Sequence, residues 1–228
     1  MTDGAERAEV RPRLGAAILG ALRLVIEHAF PLVAANLVLA VLAATYLFVL
    51  IGLPVLVLAL PLIALPTAAL TRLAVSAVRS GVPTLGMARD ELGRQPLRKL
   101  AIAAVQVLVI GISLSNLGLA GQIGGVLGLL SAGVAAYALV VTGVLAMAVW
   151  PIVCDPARAG PVGDQLRLAL AVAVRRPLQL GLLAMIAGLA TVASLQFPVL
   201  GLFLPSVVLL AIVGYVVPAA DEIVSPSP

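Results

Sequence analysis

Long stretches of this 228-residue chain contain no charged residue. These uncharged stretches cover residues 28–71, 100–154 and 177–220, and the Asp, Glu, Lys and Arg residues are confined to the four segments around them. Charged residues make up 11% of the sequence, against about 25% in a soluble globular domain. Because one charge at the centre of an inserting helix costs roughly 2.5–3.5 kcal/mol, the distribution excludes a soluble domain and indicates a membrane protein.

Cysteine and histidine each occur once, as Cys154 and His28. A single cysteine excludes an intramolecular disulfide, and the two residues are too few for a Cys/His zinc site within one chain. Catalysis of the Ser-His or Cys-His kind would have to use His28, at the very start of the first uncharged stretch. We therefore predict no catalytic residue, no metal site and no cofactor, and expect that the protein is not an enzyme.

Lysine and aromatic residues are also scarce. Lys99 is the one lysine among 14 basic residues, and aromatic residues make up 4% of the chain. The preference for Arg, together with abundant Ala, Leu and Val, is typical of a GC-rich genome. The basic residues are dispersed and have no aromatic stacking platform beside them, so a nucleic-acid partner is not expected.

Each uncharged stretch is long enough to cross a bilayer twice, since one helical crossing needs about 20 residues. The sequence therefore predicts an all-α polytopic bundle of six transmembrane helices, arranged as three hairpins. The predicted spans lie near residues 30–50, 53–80, 97–117, 123–151, 178–193 and 200–217. All 14 basic residues then fall on one side, which the positive-inside rule assigns to the cytoplasm together with both termini.

These spans divide the chain into three parts. Residues 1–28 are predicted to be a cytoplasmic N-terminus, not a cleaved signal; its residues 14–28 form either an amphipathic interfacial helix or a plain extension of the first span. Residues 29–218 form the membrane domain, with cytoplasmic segments at about 79–96 and 155–176. Residues 219–228 are predicted to be a disordered cytoplasmic tail.

Proline occurs at positions that bear on helix geometry. Pro54, Pro61 and Pro66 fall in the second predicted span, which should be kinked or broken because proline removes a backbone donor. Broken helices line binding sites in some transporters, but a simple packing kink is the favoured interpretation. Pro96 and Pro177, each in an Arg-x-Pro-Leu segment, are predicted to open the third and fifth spans.

Polar and small residues inside the spans are the remaining candidates for function. Asn36, Gln106, Asn116 and Tyr137 could line a cavity for a neutral solute such as a sugar, although interhelical hydrogen bonding is favoured. Small residues recur every four positions in the fourth span, where they predict close helix packing or self-association. They are Gly124, Gly128, Ala132 and Ala136.

Several short segments carry a resemblance to a known family. They are the Asn-containing run 36–39, the proline-rich break, Pro-Thr-Ala-Ala-Leu at 66–70, Val-Arg-Ser-Gly at 78–81, the basic entry 94–100 and the Leu/Ala-rich run 166–180. Over about residues 30–217 the chain resembles the YesL-like family of small bacterial integral membrane proteins. Members tend to be encoded beside carbohydrate-uptake systems. The resemblance implies a multi-pass protein of the bacterial plasma membrane with no assigned catalytic residues.

Three functions are compatible with these observations. The first is a non-enzymatic protein that assists solute transport, specifically of carbohydrate, with subunits of an ABC-type transporter as partners. The second is a stand-alone carrier or channel for a neutral polar solute. The third, an intramembrane enzyme acting on lipid, is disfavoured because the spans lack deep acidic residues and a usable histidine.

Overall fold

The long apolar runs of this chain fold into helices, because a helix satisfies every backbone amide without water. A computed structural model describes residues 14–52, 54–197, 201 and 203–225. Within these ranges the chain is an all-α helical bundle without strands, as predicted. Residues 1–13 of the predicted N-terminus and 226–228 of the predicted tail lie outside the described residues.

Nine α-helices and two 3₁₀ helices occur in the described part of the chain. The α-helices are α1 (Leu14–Glu27), α2 (Ala29–Gly52), α3 (Ala64–Ser80), α4 (Leu85–Gly93), α5 (Pro96–Ile123), α6 (Gly125–Val153), α7 (Val162–Arg175), α8 (Pro177–Gln196) and α9 (Leu204–Val224). The 3₁₀ helices are Pro54–Ile63 and Pro156–Arg158.

Five helical segments of the described chain are long and apolar enough to cross a bilayer. They are Ala59–Ser80, Pro96–Ile123, Gly125–Val153, Pro177–Ser194 and Leu204–Val224. A sixth is obtained if Leu14–Glu27 and Phe30–Leu42, which meet at an angle of 93°, are taken as one bent span. These lengths agree with a multi-pass membrane protein.

The 93° bend bears on the two predictions for residues 14–28. The chain turns sharply between α1 and α2, so α1 does not continue the first span as one straight helix. Ala21 and Val25 of α1 are buried, and the helix packs against α9, while Leu22 and Ile26 are exposed. Ala17 approaches α9 at Gly214, where an added Cβ would lie 3.9 Å from the Ala17 side chain. The interfacial location of α1 stays a prediction.

Proline shapes the start of three helices. The chain forms a 3₁₀ helix across Pro54–Ile63, with Pro61 inside it, and becomes α-helical from Ala64, two residues before Pro66. A 3₁₀ turn here suits a segment whose prolines cannot donate backbone hydrogen bonds. Pro96 and Pro177 open α5 and α8, which confirms that part of the prediction.

Helices α3 and α9 form the centre of the bundle. In the most apolar 18-residue segment of each, 56% of the residues are buried, against 17% in α5 and α6 and 11% in α8. Leu73 and Val75 of α3 and Val213 and Val216 of α9 are fully buried in one hydrophobic core, which Ile152 at the end of α6 joins. The core therefore lies toward the end of the bundle where the charged residues are found.

The prediction of a disordered tail from residue 219 is wrong for residues 219–224. Helix α9 continues through Pro218 to Val224. Asp221 and Glu222 in this last turn pair with Arg158 and Arg176 from other parts of the chain. These ion pairs hold the polar end of α9 against the segments that carry Arg158 and Arg176.

Candidate functional site: the ion-pair network at the charged end

A buried carboxylate on α4 forms the first part of a charged cluster. Glu91 is 2% exposed, and its Oε1 lies 2.9 Å from Nζ of Lys99 in the first turn of α5. Arg94 Nη1 lies 3.6 Å and Arg72 Nε of α3 lies 4.0 Å from Glu91 Oε2. Lys99 also donates to the backbone oxygen of Glu91. One carboxylate thus joins three cations from α3, α5 and the segment between α4 and α5.

A second buried carboxylate follows the end of α6. Asp155 is fully buried, and both of its oxygens accept hydrogen bonds of 2.9 Å from Arg79 Nε of α3. Its Oδ1 also accepts from the backbone amide of Ala157 at 3.1 Å, so it caps the short 3₁₀ helix. Arg158 approaches Asp155 at 3.6 Å. The pair of Arg79 with Asp155, in which the guanidinium meets both carboxylate oxygens, is among the stronger interactions available to side chains.

Asp221 of α9 extends the second cluster. Its Oδ1 lies 3.2 Å from Nη2 of Arg79 and also contacts Arg158. Arg158 donates a further bond of 3.0 Å to the backbone oxygen of Val217. The ends of α3, α6 and α9 are therefore held together by two arginines and two aspartates.

Gln165 connects this cluster to α5 and α7. Its side chain, 5% exposed on α7, contacts Arg98 of α5 and donates to the backbone oxygen of Arg158. Arg98 also donates to Gly160 at 3.1 Å, and Arg176, at the start of α8, pairs with Glu222 at 2.8 Å. The contacts around Glu91, Asp155 and Gln165 hold together the ends of helices α3 to α9. We call this group of side chains the charged platform.

Cys154 lies beside this platform and is fully buried. Burial, followed by the nearby charge of Glu91, raises the pKa of the Cys154 thiol to about 12. Since the thiolate is the reactive form, this side chain is a packing element and not a nucleophile. Among the described residues, no group of three or more His, Cys, Asp and Glu is arranged to hold a metal ion.

The four polar residues singled out in the sequence occupy different positions. Asn36 of α2 donates a 2.6 Å bond to Ser206 of α9, and Gln106 of α5 accepts a 3.1 Å bond from Trp150 of α6. Asn116 is half-buried on α5, while Tyr137 is 72% exposed on α6. The bonds of Asn36 and Gln106 thus join two different helix pairs, so these two residues serve separate interhelical contacts.

The four small residues of the predicted stripe lie in different surroundings. Gly124 has a φ of +65° and forms the tight connection from α5, and an added Cβ at Gly128 would lie 2.5 Å from the Ala120 carbonyl oxygen. Ala132 is half-buried, and Ala136 is exposed.

Near the connection between α5 and α6, the buried positions are 113 and 120 on α5 and 128 and 135 on α6. The contact between α5 and α6 therefore includes Gly128 but not the whole predicted stripe, and self-association through that stripe stays a prediction.

Sequence reasoning missed the ion-pair network, although it placed the charges at one end. Arg79 is 76 residues from Asp155 and 142 residues from Asp221. No local pattern indicates such partners. The available signal was the presence of acidic residues and Arg together in three of the four charged segments, which implies pairing without naming the pairs.

No protein-family model, curated protein or solved structure matches this chain. The resemblance to the YesL-like family therefore stays a prediction, and the assignment of function depends on the geometry of the molecule itself.

Proposed function

We propose that this chain is a non-catalytic accessory protein of the bacterial plasma membrane that associates with a solute transport system. The charged platform and a ridge on α7 together support this proposal. The resemblance to the YesL-like family adds the expectation that the solute is a carbohydrate and that the partner is an ABC-type transporter.

The α7 ridge consists of three apolar side chains spaced four residues apart. Leu166, Leu170 and Val174 are 39%, 52% and 69% exposed and share one face of the helix. The opposite face is held to the bundle through buried Gln165 and Val172. An exposed apolar ridge on an anchored helix is typical of a docking surface.

Charge surrounds this ridge. Arg167, with 87% of its side chain exposed, stands beside it, and Arg175 follows at the end of α7. Because Gln165 accepts a hydrogen bond from Arg98 and donates one to the backbone oxygen of Arg158, α7 presents the ridge from a rigid base. We infer that the ridge contacts a partner subunit, with the arginines pairing with acidic groups at the rim of the contact.

Photo-crosslinking in native membranes tests this function. Benzoylphenylalanine introduced at Leu170 should crosslink to a transporter subunit, which mild-detergent purification and mass spectrometry would identify. The matched control is the same probe at Asp164, which is 67% exposed on α7 but lies off the ridge. Crosslinks from position 170 to lipid alone, or equal protein crosslinks from both positions, would contradict the proposal.

A second function has one observation in its favour. The 3₁₀ helix Pro54–Ile63 interrupts regular α-helix ahead of the central helix α3, as discontinuous helices do beside transport pathways. A stand-alone carrier or channel would move neutral solutes into liposomes that contain only this protein. Flux of a sugar panel that depends on the protein would favour this second function over the accessory role.

A further inference from the structure

An apolar groove with a volume of about 330 Å³ lies between α2, α3 and α4. This volume is at the lower end of the range of about 300–1,000 Å³ that ligand sites occupy. The groove opens outward, since Val38 and Leu85 on its walls are 58% and 46% exposed. Its walls include Ala34, Val38, Pro66, Leu70, Ala88 and Arg89.

Helix α4 supplies the one charged wall residue. Leu85, Ala88, Arg89 and Leu92 all line the groove and follow the i, i+3, i+4, i+7 spacing of a single helix face. Three apolar side chains and one guanidinium therefore point to the same side. A ligand that matches this face has a hydrocarbon part and an acidic part.

Arg89 differs from the other basic residues around it. Arg72, Arg94 and Lys99 share Glu91, whereas Arg89 is exposed and no carboxylate of the described residues lies within ion-pair distance of it. Its neighbour Asp90 faces another side, since successive helical residues are about 100° apart. The guanidinium of Arg89 is therefore available to an external anion.

The charge of this whole end favours such an anion. Between residues 72 and 222 the chain has ten basic and six acidic residues, a surplus of four positive charges. Basic pockets between transmembrane helices bind acidic lipid head groups, and guanidinium matches phosphate geometry by donating two hydrogen bonds.

We propose that the groove holds one acyl chain of an anionic glycerophospholipid, whose phosphate is bound by Arg89. The hydrocarbon lies along the α2 and α3 walls, and the head group lies at the α4 end. This lipid would fill the space between α2 and the central helix α3, and so stabilise the packing of α2. The proposal is independent of the accessory role.

Native mass spectrometry tests the groove directly. The purified chain would be exchanged into micelles with phosphatidylglycerol or with phosphatidylcholine, and the retained lipid counted. We expect one tightly retained phosphatidylglycerol and weaker retention of phosphatidylcholine. Arg89→Gln should lower phosphatidylglycerol retention about fivefold, the factor expected for one Arg near an anionic surface. Arg23→Gln, which removes an exposed arginine of α1, should leave retention unchanged.

Filling the groove separates the acyl contact from the head-group contact. Ala88→Phe should abolish retention of both lipids because the phenyl ring occupies the acyl position. If that variant does not fold, Val38→Trp on the exposed opposite wall has the same expected effect, and helical circular dichroism verifies folding. Equal retention of the two lipids by the wild type would indicate annular lipid only and overturn the proposal. So would undiminished retention by Arg89→Gln or by the filled variant.

Discussion

The charged end of the bundle and the far end of the α5–α6 hairpin are held together in different ways. At the charged end, Asp155 and Glu91 are buried with arginine and lysine partners from distant parts of the chain. At the hairpin tip, which we define as residues 113–135, the packing joins two consecutive helices through small residues. Most apolar side chains of the tip face outward, including Leu127 and Leu129 at 73% and 75% exposure.

This difference indicates which region specifies the arrangement of helices. In a membrane, apolar side chains gain little by moving from lipid to another helix, so apolar contact alone selects neighbours weakly. A buried carboxylate, in contrast, tolerates few positions other than beside its cations. We infer that the charged end determines which helices are neighbours, while the tip depends on the short connection at Gly124.

The largest expected effect comes from breaking a buried pair at the charged end. Asp155→Asn removes the negative charge that faces Arg79 and Arg158 and should lower the free energy of unfolding by about 3–5 kcal/mol. The reason is that Arg79 and Arg158 lose their shared buried partner and keep only Asp221, whose side chain is 52% exposed. Unfolding by added dodecyl sulfate in mixed micelles, followed by circular dichroism, measures the change.

Asp164→Asn provides the matched control, because Asp164 is 67% exposed and lies 3.8 Å from Arg167 on the surface of α7. A change of less than about 1 kcal/mol is expected there. The double variant Arg79→Gln/Asp155→Asn should be more stable than the sum of the single losses predicts. Additive losses in that double variant would show that the two side chains are not coupled.

A smaller effect is expected at the hairpin tip. In Gly128→Ala the new Cβ would lie 2.5 Å from the backbone oxygen of Ala120, so α5 and α6 must separate. Overpacking of this kind costs about 1–3 kcal/mol. Cysteine crosslinking across the tip, together with the same unfolding titration, detects the separation.

Gly133→Ala makes the same chemical change five residues along α6, where a Cβ meets nothing within 4 Å. It should be neutral or stabilise slightly, since Ala favours helix over Gly. Equal destabilisation by both variants would mean that helix propensity, and not the contact with Ala120, decides stability at the tip.

The sequence was sufficient to predict an all-α bundle of long apolar helices. Charge exclusion located the apolar helices, and Pro96 and Pro177 marked two helix starts, because these are local consequences of insertion and of proline geometry. The prediction of a disordered tail was wrong because it considered local sequence alone. Asp221 and Glu222 favour disorder when only their neighbours in the sequence are considered, but both pair with arginines from other segments, Arg158 and Arg176.

The candidate site was less predictable than the elements. Asn36 and Gln106 were recognised as polar groups in apolar spans, but their bonds to Ser206 and Trp150 depend on helix rotation, which apolar sequence leaves undetermined. The groove beside Arg89 likewise requires α2, α3 and α4 to meet, although apart from Arg89 their lining residues are ordinary Ala, Leu, Val and Pro side chains. Tertiary contacts of this kind leave no local pattern.

The reactivity of Cys154 tests whether the charged end is more rigid than the hairpin tip. It is the prediction with the smallest expected effect. The native chain should resist maleimide at pH 7 and at pH 9, since the side chain is fully buried and burial raises its pKa to about 12. A raised pKa keeps the thiol protonated until the pH approaches that value, so the thiol stays largely protonated at pH 9. In Cys154→Ala/Gln122→Cys, the exposed cysteine at the tip should react readily, and faster as the pH rises through about 8.5. Rapid labelling of native Cys154 would mean that the charged end opens often, and would contradict its assignment as the rigid region.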